Sequence, residues 1–248
     1  MIKLTLIDRP VELTDEVCKA LTDKYEKDGD SVWNKDYIKK ALLKMTKNKC
    51  AYSEAPLNEN GTYMEIDHFR CKEKYPKKVV EWGNLLPSCK TCNDTKGDWD
   101  VEVDGAIINP LEDNPSDFLF VKSLRFYPKN NNEKGQNTID RLDLNNKNQF
   151  EMPRAKIYFV IIDNLEEIIK KLSCDDTKKK EKNSINKIKQ YLKEAFPENI
   201  YSAVLATSIL ESEEYNKMKD LVNSKGLWDD EFDEIERTLN SIALFKNR

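Results

Sequence analysis

The spacing of apolar residues divides the chain into stretches of different character. Ile2, Leu4 and Leu6 alternate with polar residues and predict a strand over residues 1–7, ended by Pro10. Thr14 offers a cap for a helix with Val17, Leu21 and Tyr25 on one face, broken by Asp28-Gly29-Asp30. Tyr37, Ile38, Ala41, Leu42 and Met45 predict a second helix. From Lys47 to about Asp104 the helical period is lost, and Cys, Asn, Gly, Pro and Trp become frequent. Within that stretch the run Tyr63-Met-Glu-Ile-Asp67-His68-Phe69-Arg70 alternates as a strand does. Asp104-Gly105, between Val101/Val103 and Ile107/Ile108, predicts a hairpin turn. Residues 109–153 read as irregular, with short apolar runs such as Phe118–Val121. From Ala155 onward the chain reads as helices. A long stripe from Tyr158 through Ile161, Ile162, Leu165, Ile168 and Ile169 to Leu172 comes first. Ile185/Ile188/Leu192, Val204/Leu205/Ile209 and Phe232/Ile235/Leu239/Ile242 follow.

This pattern suggests an N-terminal part over residues 1–47, a central part over 48–150 and a helical part over 151–248. A length of 248 residues allows one domain with an appendage, or two small ones. With mean hydropathy at -0.74, no stretch reaches the roughly 18 apolar residues of a membrane span. The first residues lack the apolar block of a signal peptide, so the chain reads as cytoplasmic. The 6 cysteines are then thiols or metal ligands rather than a disulfide framework. Two sequons, Asn60-Gly61-Thr62 and Asn93-Asp94-Thr95, have no consequence in that compartment. Residues 166–194 are basic and residues 211–238 acidic, and both runs read first as solvated helix faces. A functional reading gives the first to nucleic acid and the second to a protein partner. The net charge of -4 does not exclude DNA, because affinity depends on local phosphate contacts.

Candidate chemistry lies in the central stretch. Cys89-x-x-Cys92 is a knuckle whose sulfurs can share one metal ion, and structural zinc usually takes four ligands. Cys50, about forty residues upstream, is a third candidate; three residues beyond it stands Ser53, a poor zinc ligand, with Cys71 as a possible substitute. Cys18 and Cys174 read as ordinary thiols. His68 is the single histidine, so any mechanism needing an imidazole from this chain must use it. Phosphodiester hydrolysis needs a base to deprotonate water, an ion to absorb phosphate charge and groups to fix geometry. His68, the carboxylate of Asp67 and the amide of Asn84 fit those needs in turn. Neighbours on a regular strand point to opposite faces, so Asp67 and His68 serve one centre only if the strand ends or twists there.

The order Asp67-His68, Asn84, Cys89-x-x-Cys92-Asn93 and Lys96 resembles the HNH endonucleases. Cys50-Ala-Tyr-x-Glu54, Asp67-His68-Phe69-Arg70, Glu81-Trp82-x-Asn84-Leu-Leu, Lys96-Gly97-Asp98, Asn109-Pro110 and Thr138-Ile-Asp-Arg-Leu-x-Leu-Asn145 extend the likeness. They look like the HNH subunits of Septu-type and retron-associated anti-phage systems. The resemblance covers residues 50 to roughly 150. It implies an α+β fold with a small ββα-metal (His-Me finger) core and zinc knuckle, flanked by N-terminal and C-terminal helices. It also implies a metal-dependent endonuclease acting on DNA, working with an ATPase partner of the ABC/OLD kind and, in some systems, a retron complex. His68 would be the general base, and Asp67 and Asn93 would hold a catalytic magnesium or manganese ion. Asn84 would orient the loop and the imidazole. Cys50, Cys89 and Cys92 would hold a structural zinc, with Ser53 where a fourth cysteine is usual. Arg70, Lys72, Lys74, Lys90 and Lys96 surround these positions and would contact phosphates, or serve only as solubilising charges. A second reading is a non-catalytic zinc-knuckle protein that binds nucleic acid or scaffolds an assembly; Ser53 and Asn93 support it, and retained Asp67, His68 and Asn84 oppose it.

Overall fold

The computed structural model describes residues 1–58, 63–174 and 177–247. The sequon at Asn60-Gly61-Thr62 lies outside them. The fold is α+β, mostly helices with two small two-stranded sheets. It divides into two compact units, one of residues Met1–Leu119 with Tyr127–Asn145, the other of Phe120–Phe126 with Asn146–Arg248.

In the first unit, α1 (Asp15–Asp28) begins at Thr14, whose hydroxyl accepts from the Val17 amide, and ends at Gly29 with φ 72°. The expected helix over residues 37–45 is α2 (Asp36–Thr46), which buries Ile38, Leu42 and Met45. β1 (Met64–His68) pairs antiparallel with β2 (Leu85–Cys89), Met64 opposite Cys89 and His68 opposite Leu85. All five β2 residues are buried, because α2 packs against this strand and so does α3 (Lys90–Lys96), which follows it directly. The local order is therefore strand, strand, helix. A loop of about sixteen residues separates the strands, and α1 packs Cys18, Leu21 and Tyr25 against Val32 and against Val79 and Val80 of that loop.

Three expectations differ from the structure. Residues 1–7 form no strand; Leu4 donates its amide to Pro110 and Leu6 is 45% exposed, so the alternation is not used in a sheet. Asp104-Gly105 does not turn a hairpin. Asp100 instead winds residues 100–104 into successive turns: its carbonyl accepts from Val103 and Asp104, its carboxylate from Glu102, and its amide donates to Asp104. Residues 109–153, read as irregular, contain β3 (Leu119–Lys122), β4 (Arg125–Pro128) and α4 (Glu133–Arg141). The β3–β4 turn places Ser123 and Leu124 at φ 50° and 63°, a left-handed pair normally announced by Asn-Gly. α4 is capped by Asn132, and Thr138 on it accepts the amide of Ile108.

The second unit is helical: α5 (Met152–Cys174), α6 (Lys178–Lys193), α7 (Ser202–Leu210), α8 (Glu213–Ser224) and α9 (Asp230–Ile242). α7 is buried along nearly its whole length, and the others turn apolar stripes toward it or toward each other. α8 was not among the expected stripes; Tyr215, Met218 and Val222 form its buried face. Arg154 is fully buried, its guanidinium within 4.8 Å of the Phe126 ring centre and 5.6 Å of those of Phe150 and Tyr201. The basic and acidic runs meet in part: Lys189 pairs with Asp229 at 2.5 Å and Glu231 at 2.8 Å, and Lys225 with Glu181 at 2.8 Å. Among the described residues no helix is long and apolar enough to cross a membrane.

Gly135 tests packing against helix propensity. Within a helix, alanine is worth about 1 kcal/mol more than glycine. A Cβ here would run into the Phe118 carbonyl oxygen. Gly135→Ala is therefore expected to lower stability by about 1–3 kcal/mol, read from denaturant midpoints.

Candidate functional site

Two neighbouring sites are built on β1, β2 and α3. The first is a thiol cluster. Cys50, Cys89 and Cys92 are buried, and their sulfurs lie within 4.8 Å of one another. Cys50 arrives on a tight loop in which Glu54 takes a left-handed conformation and Cys50 and Ala55 are joined by an amide–carbonyl bond of 2.8 Å. The Ala51 amide donates to Pro87, tying that loop to β2. Cys89 ends β2, and Cys92 lies one turn into α3. Ser53 is buried beside them, its hydroxyl 3.6 Å from the Cys89 sulfur. Cys71 does not join the cluster. Tetrahedral zinc with Zn–S near 2.3 Å separates its sulfurs by about 3.8 Å, so the donor set and its spacing fit that ion.

The thiols share their protons unequally. Burial opposes ionisation of Cys50, yet hydrogen bonds from Cys89, Cys92 and Ser53 hold it well below the usual thiol range. Cys89 is pushed up to about 12, first by its bond to Cys50. Burial drives Cys92 upward. A metal ion held by these three sulfurs would bind them as thiolates and release their protons.

The second site is a cleft of about 700 Å³, lined by every residue of β1. Successive strand residues point to opposite faces, so a cleft touching all of them runs along the strand's edge. β1 ends at His68, and both Asp67 and His68 line the cleft. Trp33, Asn34 and Lys39 line it from the N-terminal segment, and Asn93, Asp94 and Asp98 from α3 and just beyond it. Five carboxylates and two lysines face this space, a balance suited to a cation rather than to bare phosphate. Carboxylate and amide oxygens are the donors that magnesium and manganese prefer.

His68 is buried against Trp33, ring centres 4.7 Å apart and planes near perpendicular. Its Nε2 lies 2.9 Å from the Val79 carbonyl. A carbonyl only accepts, so Nε2 carries the hydrogen and Nδ1 keeps the lone pair. Burial lowers the imidazole to about 4, against the opposing effects of the Val79 bond and Asp67. Asn84 does not bond to the ring. It donates to the carbonyls of Arg70 and Lys78 at 3.1 Å each and accepts the Arg70 amide at 2.8 Å. It thus fixes the loop that carries Val79.

Asp67 and Asn93 both reach the cleft, but each is engaged. Asp67 Oδ1 pairs with Lys96 at 2.9 Å and Oδ2 accepts from Tyr52 at 2.5 Å. Asn93 donates to Glu65 at 2.6 Å. Lys96, expected to meet phosphate, points inward: its side chain has no exposed surface and its ammonium also donates to the His68 carbonyl at 2.7 Å. Arg70 is half-buried and paired with Glu102, and Lys72 pairs with Glu73 and lies over Trp33. Lys74 and Lys90 are exposed. Tyr52, Glu65, Trp33 and Val79 were not singled out from sequence. Glu65 could have been, since it shares a strand face with Asp67; Trp33 and the Val79 carbonyl leave no sequence trace.

The chain is 38% identical over 236 residues to the Septu protein PtuB of Bacillus thuringiensis, covering 93% of this chain and 90% of that one. It is 30% identical over 150 residues to the Septu protein PtuB of Bacillus mycoides strain KBAB4, covering 48% and 50%. No family model matches. No solved structure matches.

Two predictions follow from the site's chemistry. His68 titrates near 6.5 when unfolded and about 4 when folded, so between these values only the unfolded chain takes up the proton. Its contribution is complete above that window and is lost as pH falls, by about 2 kcal/mol at pH 5. Unfolding at pH 7 and pH 5 should show a smaller difference in His68→Gln than in the parent. Ser53→Cys should complete the thiol set and tighten zinc retention on the order of ten-fold in chelator competition, while Cys92→Ser should lose the metal.

Proposed function

The chain belongs to the family of the Septu protein PtuB, and from that premise we propose that it is a metal-dependent HNH endonuclease that hydrolyses DNA phosphodiester bonds. It would serve as the effector subunit of an anti-phage defence system, working with an ATPase subunit of the ABC/OLD kind. Both relatives are Septu proteins, which favours that arrangement over a retron complex. The succession of β1, β2 and α3 supports a ββα arrangement for the proposed core.

One observation carries the reading: His68, held with Nδ1 as its basic atom, shares a cleft with Asp67 and Asn93. In the proposed reaction Nδ1 accepts a proton from water as that water attacks phosphorus. The Val79 carbonyl keeps the ring in this tautomer and stabilises the imidazolium that forms. Asn84 acts at one remove, by fixing the loop that presents Val79. Asp67 and Asn93 would hold a magnesium or manganese ion. When bound, that ion supplies positive charge at the phosphate and leaving oxygen. The carboxylates around the cleft make the ion necessary, because alone they would repel the backbone they are to cut. Cys50, Cys89 and Cys92 would hold zinc, fixing the end of β2 and the start of α3. Arg70, Lys72, Lys74 and Lys90 remain candidate phosphate contacts; Lys74 and Lys90 are the exposed ones.

The test is plasmid cleavage with magnesium or manganese in the presence of the cognate ATPase subunit. His68→Ala should cut at least about 10²-fold more slowly with unchanged zinc content, since the chain has 1 histidine and no substitute. Cleavage unaltered by His68→Ala would overturn the mechanism. Metal-independent binding of DNA without cleavage would favour the scaffold reading.

A further inference from the structure

Asp67 is the most constrained carboxylate of the cleft, and what constrains it lies behind it. Its side chain is 4% exposed, Tyr52 is fully buried and the Lys96 side chain has no exposed surface. The three come from separate elements: the loop after Cys50, the end of β1, and the last turn of α3. Tyr52 gives its hydroxyl hydrogen to Oδ2, and Lys96 gives one ammonium hydrogen to Oδ1 and another to the His68 carbonyl. A buried lysine stays charged only with such partners, and a phenol this deep needs an acceptor. A carboxylate has about four lone-pair positions, so two donors fix its plane without filling it.

A second cross-link runs beside the first. Asn93, three residues before Lys96, donates to Glu65, two residues before Asp67. Residues two apart on a strand, and three apart on a helix, share a face. β1 and α3 are therefore joined by two rungs, Glu65–Asn93 near the start of the strand and Asp67–Lys96 near its end.

We infer that Tyr52 and Lys96 are positioning residues for Asp67: they hold its carboxylate from the buried side in the orientation in which it meets a divalent cation. Lys96 does more than orient. Its bond to the His68 carbonyl fixes the backbone between carboxylate and imidazole, so one ammonium sets the relation of both groups. This role replaces the phosphate contact expected for Lys96, and it gives Tyr52, which lies between two knuckle positions, a part in the cleft. The inference rests on the proposed reading of Asp67 as an ion ligand.

The test measures manganese directly, on the full-length chain purified with its zinc, by the electron paramagnetic resonance of free Mn²⁺. Tyr52→Phe removes one oxygen and keeps the ring; it should weaken Mn²⁺ binding roughly ten-fold, as loss of a partner behind a ligand does. Its zinc content should be unchanged. Lys96→Met should weaken binding at least as much. Because both act through Asp67, neither should weaken binding further in an Asp67→Asn background, and this non-additivity separates positioning from general loosening of the fold. Should Lys96→Met fail to fold, Tyr52→Phe and its double variant decide alone. Loss of Mn²⁺ binding in Asp67→Ala with unchanged binding in Tyr52→Phe would overturn the positioning role and leave the ion site standing. Unchanged binding in Asp67→Ala would overturn both.

Discussion

Lys96 brings a full positive charge to a place that water does not reach, and the arrangement around the cleft follows from how that charge is satisfied. A buried ammonium facing only apolar groups would cost several kcal/mol, so its partners cannot be spared. They are Asp67 and the His68 carbonyl, at the end of β1. The ion pair therefore ties the register of a short strand to the rotation of a short helix. α3 has only 7 residues, too few to be stable alone, and a two-stranded sheet is marginal in water. Each depends on the other, and the buried pair makes the dependence specific.

The thiol cluster secures the opposite end of the same elements. Cys89 closes β2 opposite Met64, where β1 begins, whereas Lys96 acts where β1 ends. The knuckle thus secures one end of the strand–strand–helix unit and Lys96 the other, with the cleft running along β1 between them. Asn93 follows Cys92 directly, so whatever fixes the knuckle also fixes the start of the helix face that meets Glu65. The N-terminal helices serve this unit from outside. α2 covers β2, and α1 packs beside the segment presenting Val79 and leads into the loop carrying Trp33. His68 is held by the Val79 carbonyl and packs nearly perpendicular to the Trp33 indole, and its low basicity is the consequence of that burial.

Several elements were legible because their causes are local. Thr14 caps α1 and Gly29 ends it through their own chemistry, and the stripes of α5, α6 and α9 bury most of the residues their spacing marks, with Tyr158, Ile169 and Ile242 half-buried. The cysteines could be grouped by spacing and residue type. The β3–β4 hairpin was not legible, because Ser123-Leu124 adopts a left-handed turn without the residues that favour one. The alternation in residues 1–7 and the Asp104-Gly105 dipeptide misled in the opposite way. Each has the local pattern of sheet, but a strand needs an edge to pair with, and neither segment meets one.

Residue types, their order and their local periods marked out the elements and the stretch where chemistry lies, because capping, amphipathic spacing and ligand preference act over a few residues. Which of those residues face each other was decided at a distance. Lys96 read as a motif lysine that would contact phosphate or serve as a solubilising charge, until α3 packed on β1 and closed it in. Tyr52 stood in the motif Cys50-Ala-Tyr-x-Glu54 with no role assigned until its hydroxyl met Asp67. Burial and pairing are set by elements far apart in the chain, and the charge of Lys96 and the phenol of Tyr52 acquire their roles only where folding removes water.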